Sequence, residues 1–303
     1  MNRSTRTSLL SLVVLFGTAA IAPAQDTNPL FKETKIKNYI PHMTWQEVEE
    51  ALQRTDMVII PVGSIEQHGK HLPLGTDILA TMEGCKLLAQ KTDVLIAPVV
   101  LAGLSEHHMG FPGTITLSPQ TFEAVIFETA QSLNRHGFKK IMIYNGHGGN
   151  SVSAKNVVQR INQETAATAV LLNDLRPPAT NTPTDSPAVD WHAGVGETSL
   201  MLYLTPSLVD MSHAQKPTLT LPEIAQKAQA RTESEPNLEL VVSANLFRPK
   251  DTGKKASSRE MSATGVFTSG DPRTATARQG KDEVDGFIQT AVKFIEAWKS
   301  ISR

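Results

Sequence analysis

Between Val58 and Asp77 the sequence reads VIIPVGSIEQHGKHLPLGTD, and within it Glu66, His68 and Asp77 are residue types that hold divalent metal ions. A carboxylate with an imidazole suits zinc, manganese or iron(II). Glu66 and His68 stand two apart, so in extended chain their side chains point the same way. Farther along, Asn145-Gly146-His147-Gly148-Gly149-Asn150 sets another imidazole among glycines, which let the backbone turn sharply and come close to a ligand. His192 and Glu197 share the stretch DWHAGVGETS. A metal held by such a set polarises a carbonyl oxygen and activates water, which is the chemistry of hydrolysis. Taken alone, any one of these side chains reads more simply as a solvated loop residue. Their clustering after apolar runs is what reads as a site.

The elements that must position them are legible from patterning. Val58 to Val62 is an apolar, β-branched run, the mark of a buried strand in a parallel sheet. Glu66 and His68 lie beyond its carboxyl end, where sites of α/β proteins sit. Val94–Val100, Lys140–Tyr144 and Ala169–Leu172 read as further strands, and His147 follows the third of the four. Thr44-Trp45-Gln46-Glu47 has the capping-box spacing and opens a helix to about Arg54. Thr76 is expected to cap a helix over 77–91, with Cys85 a small core residue on its apolar side. Ser118 with Pro119 at the first helical position opens a helix to Arg135. Others are expected at 151–163, from the DWHAGVGETS stretch through Leu204, and at about 280–299, where Val284, Phe287, Ile288, Val292 and Ile295 recur with amphipathic spacing. Strands alternating with helices predict an α/β fold, three layers α/β/α around a mainly parallel sheet. Residues 25–43 read as polar surface chain. The Pro-rich stretch 174–190 reads as an excursion over the site. Residues 205–260 show only a short apolar segment at Leu240–Val242.

Composition sets the address. Arg3 and Arg6 precede an apolar run, Leu9 to Ile21, followed by Ala22-Pro23-Ala24. This reads as a signal peptide over 1–24, leaving a single domain, 25–303, that begins at Gln25 and is periplasmic or secreted. The 303 residues carry 29 Lys and Arg against 30 Asp and Glu; without Arg3 and Arg6 the balance is −3. No basic run argues for nucleic acid, and no later stretch is apolar enough for membrane insertion. With Cys85 as the only cysteine, no disulfide forms within the chain.

PVGSIEQHGKHLPLGTD resembles the first metal-binding motif of the creatininase family of metal-dependent amidohydrolases. SEHHMGFPGT, NGHGGN, HAGVGETS and SATGVFTSGDPRTATARQG resemble further segments of that family, and together they span about Thr44 to Gly280. The resemblance implies one or two divalent metals per subunit, zinc first and Mn2+ or Fe2+ next. Glu66 and His147 would hold one and His68 the other, with Asp77 bridging. It implies His192 as proton shuttle, Glu197 as a further carboxylate for metal or catalysis, and Gly113 and Thr114 facing substrate. Trp191 is a candidate pocket wall. Glu106, His107 and His108 are ligands by type, placed by the resemblance at the pocket wall. A small-molecule amide substrate and a ring-like homo-oligomer, often a hexamer, are implied too. In creatininase proper an acid follows the motif histidine by two; here that place is Gly149, which argues against creatinine as substrate. The GGN form resembles the wider branch, which includes formamide deformylases and peptide-trimming members. The same cluster would also serve a non-catalytic metal- or solute-binding protein, or a hydrolase of lactones and other C–O bonds. An open coordination position beside a proton shuttle separates a catalytic site from a closed structural one.

Overall fold

The computed structural model describes residue 28 and residues 33–175, 190–246 and 258–301. The expected signal peptide and most of the 174–190 excursion lie outside the described residues. The chain divides into Met1–Lys35 and a body, Ile36–Arg303, and it is the body that carries the fold.

Four parallel strands form its sheet: β1 (Met57–Val62), β2 (Leu95–Ile96), β3 (Lys140–Asn145) and β4 (Thr168–Leu171), in the order β2-β1-β3-β4. Met57 pairs with Lys140, Val58 with Leu95, and Lys140 with Thr168. Alternate residues serve opposite faces. Val58, Ile60, Val62, Ile141 and Ile143 meet α1 (Trp45–Leu52), α3 (Pro119–Arg135) and α4 (Ser151–Glu164) through Ala51, Phe122, Ile126, Ala154 and Val157. Met57, Ile59 and Met142 meet α2 (Thr76–Ala89) and α8 (Ala277–Ser300) through Cys85, Leu88, Ile288 and Ile295. The α/β/α layering is as the alternation predicts, and Cys85 is buried in the core.

The second strand is shorter than expected. Pro61 has no N–H to give the second strand, and the register slips by one residue around Pro98 before Val100 N–H reaches the Pro61 carbonyl (3.0 Å). Regular pairing therefore stops at Ile96, and a single bridge, Val62 to Val100, resumes beyond it. Thr44 and Glu47 form the expected capping box, and the Ser118 hydroxyl accepts from the Thr121 N–H. Thr76, by contrast, is the first helical residue and not a cap; its hydroxyl donates to the Pro73 carbonyl. The last helix starts at Ala277, because Thr276 and Gln279 form a second capping box. Tyr39 is buried and bridges Ile96, so the segment before α1 is not merely surface chain.

A second sheet pairs β5 (Asp190–His192) antiparallel with β6 (Phe267–Thr268). It leads into α5 (Val195–Leu204), which packs on α2 and α8. Where the sequence shows little pattern, α6 (Glu223–Gln229) and α7 (Glu239–Leu246) enclose a satellite core of Leu221, Ala225, Ala228 and Val242, against which Trp191 packs. Among the described residues no helix is long and apolar enough to cross a membrane.

Candidate functional site

The chain leaves β1 at Gly63 and carries Glu66 and His68 across the carboxyl edge of the sheet. It enters α2 one residue before Asp77, whose carboxylate sits in the first helical turn, where the helix dipole favours an acid. β3 delivers His147 just past Asn145. Asn145 and Asn150 fix that turn: the Asn145 amide donates to the His147 carbonyl (2.7 Å) and the Asn150 amide to the Gly63 carbonyl (3.0 Å). The small sheet brings His192, and the first turn of α5 brings Glu197. Glu66, His68, Asp77, His147 and His192 are all buried.

Each of three histidines has one ring nitrogen tied to a backbone carbonyl and the other turned towards carboxylates. His147 Nε2 donates to the Leu104 carbonyl (3.2 Å), so Nδ1 presents its lone pair 3.3 Å from Glu66 Oε1 and 3.2 Å from Asp77 Oδ2. His68 Nδ1 donates to the Glu66 carbonyl (3.1 Å), leaving Nε2 3.0 Å from Asp77 Oδ1 and 3.7 Å from Glu197 Oε2. His192 Nε2 donates to the Gln67 carbonyl (2.5 Å), and its Nδ1 lies 3.5 Å from Glu66 Oε1. A bare lone pair facing a carboxylate is repulsive, so either a proton or a metal cation must stand between them, and without metal it is the proton that His68 and His147 hold. Two buried carboxylate oxygens, Glu66 Oε2 and Asp77 Oδ2, have no hydrogen-bond partner, the second because His147 is close but not aligned to it. Orphaned buried oxygens are costly in a protein and are what a metal would satisfy.

The donors sort into two metal-sized groups that share Asp77: Glu66, Asp77 and His147, then His68, Asp77 and Glu197, with ligand atoms within 4.8 Å in each. Glu66 also groups with His68 and His192, and with His107 and His108. Glu197 does two things at once. Its Oε2 accepts the Ala193 N–H at the entrance to α5 and faces His68.

Electrostatics agree with the geometry. Burial opposes charge on His68, but Asp77 and Glu197 push its pKa up to about 10. His147 is raised against burial by Glu66 and Asp77. Burial would raise Asp77, but His68 and His147 hold it well below the ordinary carboxylate range. Burial, with Asp77 adding to it, pushes Glu197 up to about 7 although His68 pulls the other way. His192 is brought down to about 3 by burial and by His68, and stays neutral.

Glu66, Asp77, His147, His192 and Glu197 face a cavity of about 230 Å³ lined also by Trp191, Phe267, His107 and His108; His68 does not line it. The Trp191 indole N–H donates to Glu239 (2.7 Å). Gly113 and Thr114 do not line this cavity. The Thr114 hydroxyl accepts the Gln67 N–H (3.2 Å), and Gly113 turns at φ +90° beside Leu74, so both support the Glu66–His68 loop instead. His108 is the residue that sequence reasoning left at the pocket wall without a role. Gln67 and Ser258 donate to its Nδ1, at 3.1 and 2.5 Å, so Nε2–H points at Glu66 Oε1, 3.7 Å away. His107 stacks parallel on His147, ring centres 6.0 Å apart. A second cavity, about 310 Å³, meets the first on Asp77, His147, Gly148 and Glu197 and runs between α2, α5 and α8.

Residues 41–295 match the family model "Creatininase: Creatinine amidohydrolase". The chain is 31% identical over 249 residues to a mycofactocin precursor peptide peptidase of Mycolicibacterium smegmatis, covering 80% of this chain and 85% of that protein. It is 28% identical over 212 residues to a creatinine amidohydrolase of Pseudomonas putida, covering 61% and 78%. The solved structure "Creatininase Mn" superposes with a TM-score of 0.64 at 22% identity, over 88% of this chain and all of that one.

Proposed function

The chain belongs to the creatininase family of metal-dependent amidohydrolases, and from that premise we propose that it binds one or two divalent cations between its two carboxylate–imidazole groups and cleaves a C–N amide bond in a small substrate. The observation that carries the reading is the set of three histidine lone pairs aimed at carboxylates, with two orphaned buried oxygens among them. That set opens on a cavity lined by His192, the one of the three that belongs to neither of the cation groups sharing Asp77, and an imidazole so placed favours a reaction over a closed structural site. Glu66, Asp77 and His147 would hold one cation and His68, Asp77 and Glu197 the other. Cations there would supply Lewis acidity towards a carbonyl oxygen and make water more acidic.

The rest falls to the chain's own groups. His192, tied by Nε2–H to Gln67, has Nδ1 turned towards Glu66 Oε1 (3.5 Å), where it would receive a proton from water and return it to the leaving nitrogen. His108 aims its Nε2–H at Glu66 and orients that carboxylate. Trp191 and Phe267 shield the cavity and give the acyl portion an apolar surface. The named activity of the M. smegmatis relative supports an amide within a small peptide as the substrate. Zinc is the first candidate ion, with manganese or iron(II) next. The basic–apolar–A-x-A opening supports export.

Metal analysis of purified variants tests this. Glu66→Ala, His68→Ala, Asp77→Ala and His147→Ala should each lose bound metal and amide hydrolysis while keeping helical content, and Glu197→Gln should fall towards one metal. Loading the metal-free protein at neutral pH should release protons, because His68 and His147 must shed theirs, and affinity should fall as pH falls. Full metal content in any alanine variant removes that residue from the ligand set. An exported chain that starts elsewhere than Gln25 removes the proposed leader.

A further inference from the structure

We propose that the second cavity is the subsite for the amine side of the substrate, so that the enzyme takes an amide bearing a substantial group on its nitrogen and binds it across the metal centre. This rests on the amide-hydrolase reading above. Asp77, His147, Gly148 and Glu197 line both cavities, so a scissile bond at those residues has a cavity on either side. The second cavity is the larger of the two. Leu200, Leu204 and Phe287 give it an apolar floor, and the exposed carboxylate of Glu283 stands on its lining.

The two chemistries match the two products. Hydrolysis joins the water oxygen to the acyl carbon and breaks the C–N bond, and the nitrogen leaves with a proton as an amine. An alkylamine is an ammonium ion at neutral pH. A hydrocarbon floor suits the stem of the bound amide's nitrogen substituent, and a carboxylate on the same lining suits the charge of the amine once it is released into the cavity. The first cavity, lined by Trp191, Phe267, His107 and His108, offers no carboxylate beyond the metal ligands.

Gly84 is the independent observation. It lies in the interior of α2 and lines the second cavity, and a Cβ built on it would meet nothing within 4 Å. Glycine weakens a helix relative to alanine, and no neighbouring bulk demands it here. What the missing side chain preserves is the space.

The test fills that space. Gly84→Leu is compared with wild type and with Gly84→Ala, using the metal-loaded enzyme on acetamide, N-acetylbutylamine and N-acetylphenethylamine. Wild type should prefer the substituted amides. Gly84→Leu should lower kcat/KM on N-acetylphenethylamine by about tenfold or more while leaving acetamide nearly unchanged. An equal loss on all three, or no loss, overturns the subsite. If wild type turns over no amide, the amide reading itself fails, and the subsite is judged by calorimetric titration of phenethylamine into the same proteins. Binding to wild type and Gly84→Ala that weakens about tenfold in Gly84→Leu supports it; equal binding, or none to wild type, overturns it. Glu283→Lys, a change at an exposed position, gives a second arm should Gly84→Leu not fold: phenethylamine affinity should drop there too, and unchanged affinity counts against the subsite.

Discussion

At position 149 a side chain has nowhere to go. A Cβ there would stand 2.5 Å from His147 Nε2 and 2.5 Å from the Leu104 carbonyl, the two ends of the hydrogen bond that fixes which His147 nitrogen faces the carboxylates. An acid at this place could not reach the centre without breaking that bond. Glu197, arriving from α5 and facing His68, is the carboxylate proposed to take its part. Gly149→Ala is therefore expected to fold and to lose metal affinity by about 10–100-fold, the usual cost of losing the outer partner of a metal-binding histidine. Titration against a competing chelator measures it, and unchanged affinity would show that the Leu104 contact is dispensable. Glu66, His68, Asp77 and His147 were legible in the sequence as candidate donors because each is a ligand type placed just after a strand or at a helix entrance, whereas Glu197 came from the family resemblance of its stretch. The role of His108 was not legible: its tautomer is set by Gln67 and by Ser258, the latter 150 residues away, and no local pattern carries such a contact. Thr114 misled for the converse reason, since its hydroxyl is occupied by backbone.

Among the elements, α5 and α8 cross so closely that Gly280 in α8 touches backbone. A Cβ there would lie 2.0 Å from the Ser199 carbonyl oxygen, two residues beyond Glu197. Alanine is the better helix former, yet Gly280→Ala should destabilise by about 1–3 kcal/mol, as overpacking does, and shift Glu197 with α5. Urea denaturation checks this; a gain in stability would mean the crossing can relax. Gly280 looked from the sequence like the end of a loop, because a glycine ordinarily stops a helix and hides the Thr276–Gln279 capping box that starts α8 just before it. Capping chemistry was otherwise a good guide, as at Thr44 and Ser118. The second strand was overextended because an apolar run shows burial and says nothing of the missing N–H at Pro61 or the register slip around Pro98.

At the scale of the whole molecule, the α/β/α layering followed from alternating apolar strands and amphipathic helices. The β5–β6 sheet and the α6–α7 pair did not, since strands of two or three residues leave no periodicity and their partners are remote in sequence. That remoteness matters, because one of the three donors of the second group, Glu197, hangs from this late part of the chain. His68 and Glu197 meet in one group although about 130 residues separate them, and a cation held by both would close a loop of that length. A disulfide closing a loop of this size draws on chain entropy of the order of 4–5 kcal/mol, an upper mark for a looser ionic tie. Cys85 is single and buried, so no covalent tie within the chain performs that service. Calorimetry with and without chelator should show a clearly lower unfolding midpoint once the ions are stripped, and identical midpoints would mean that they fasten nothing. The fastening would answer to metal supply and acidity, and would be indifferent to the redox state of the compartment around it.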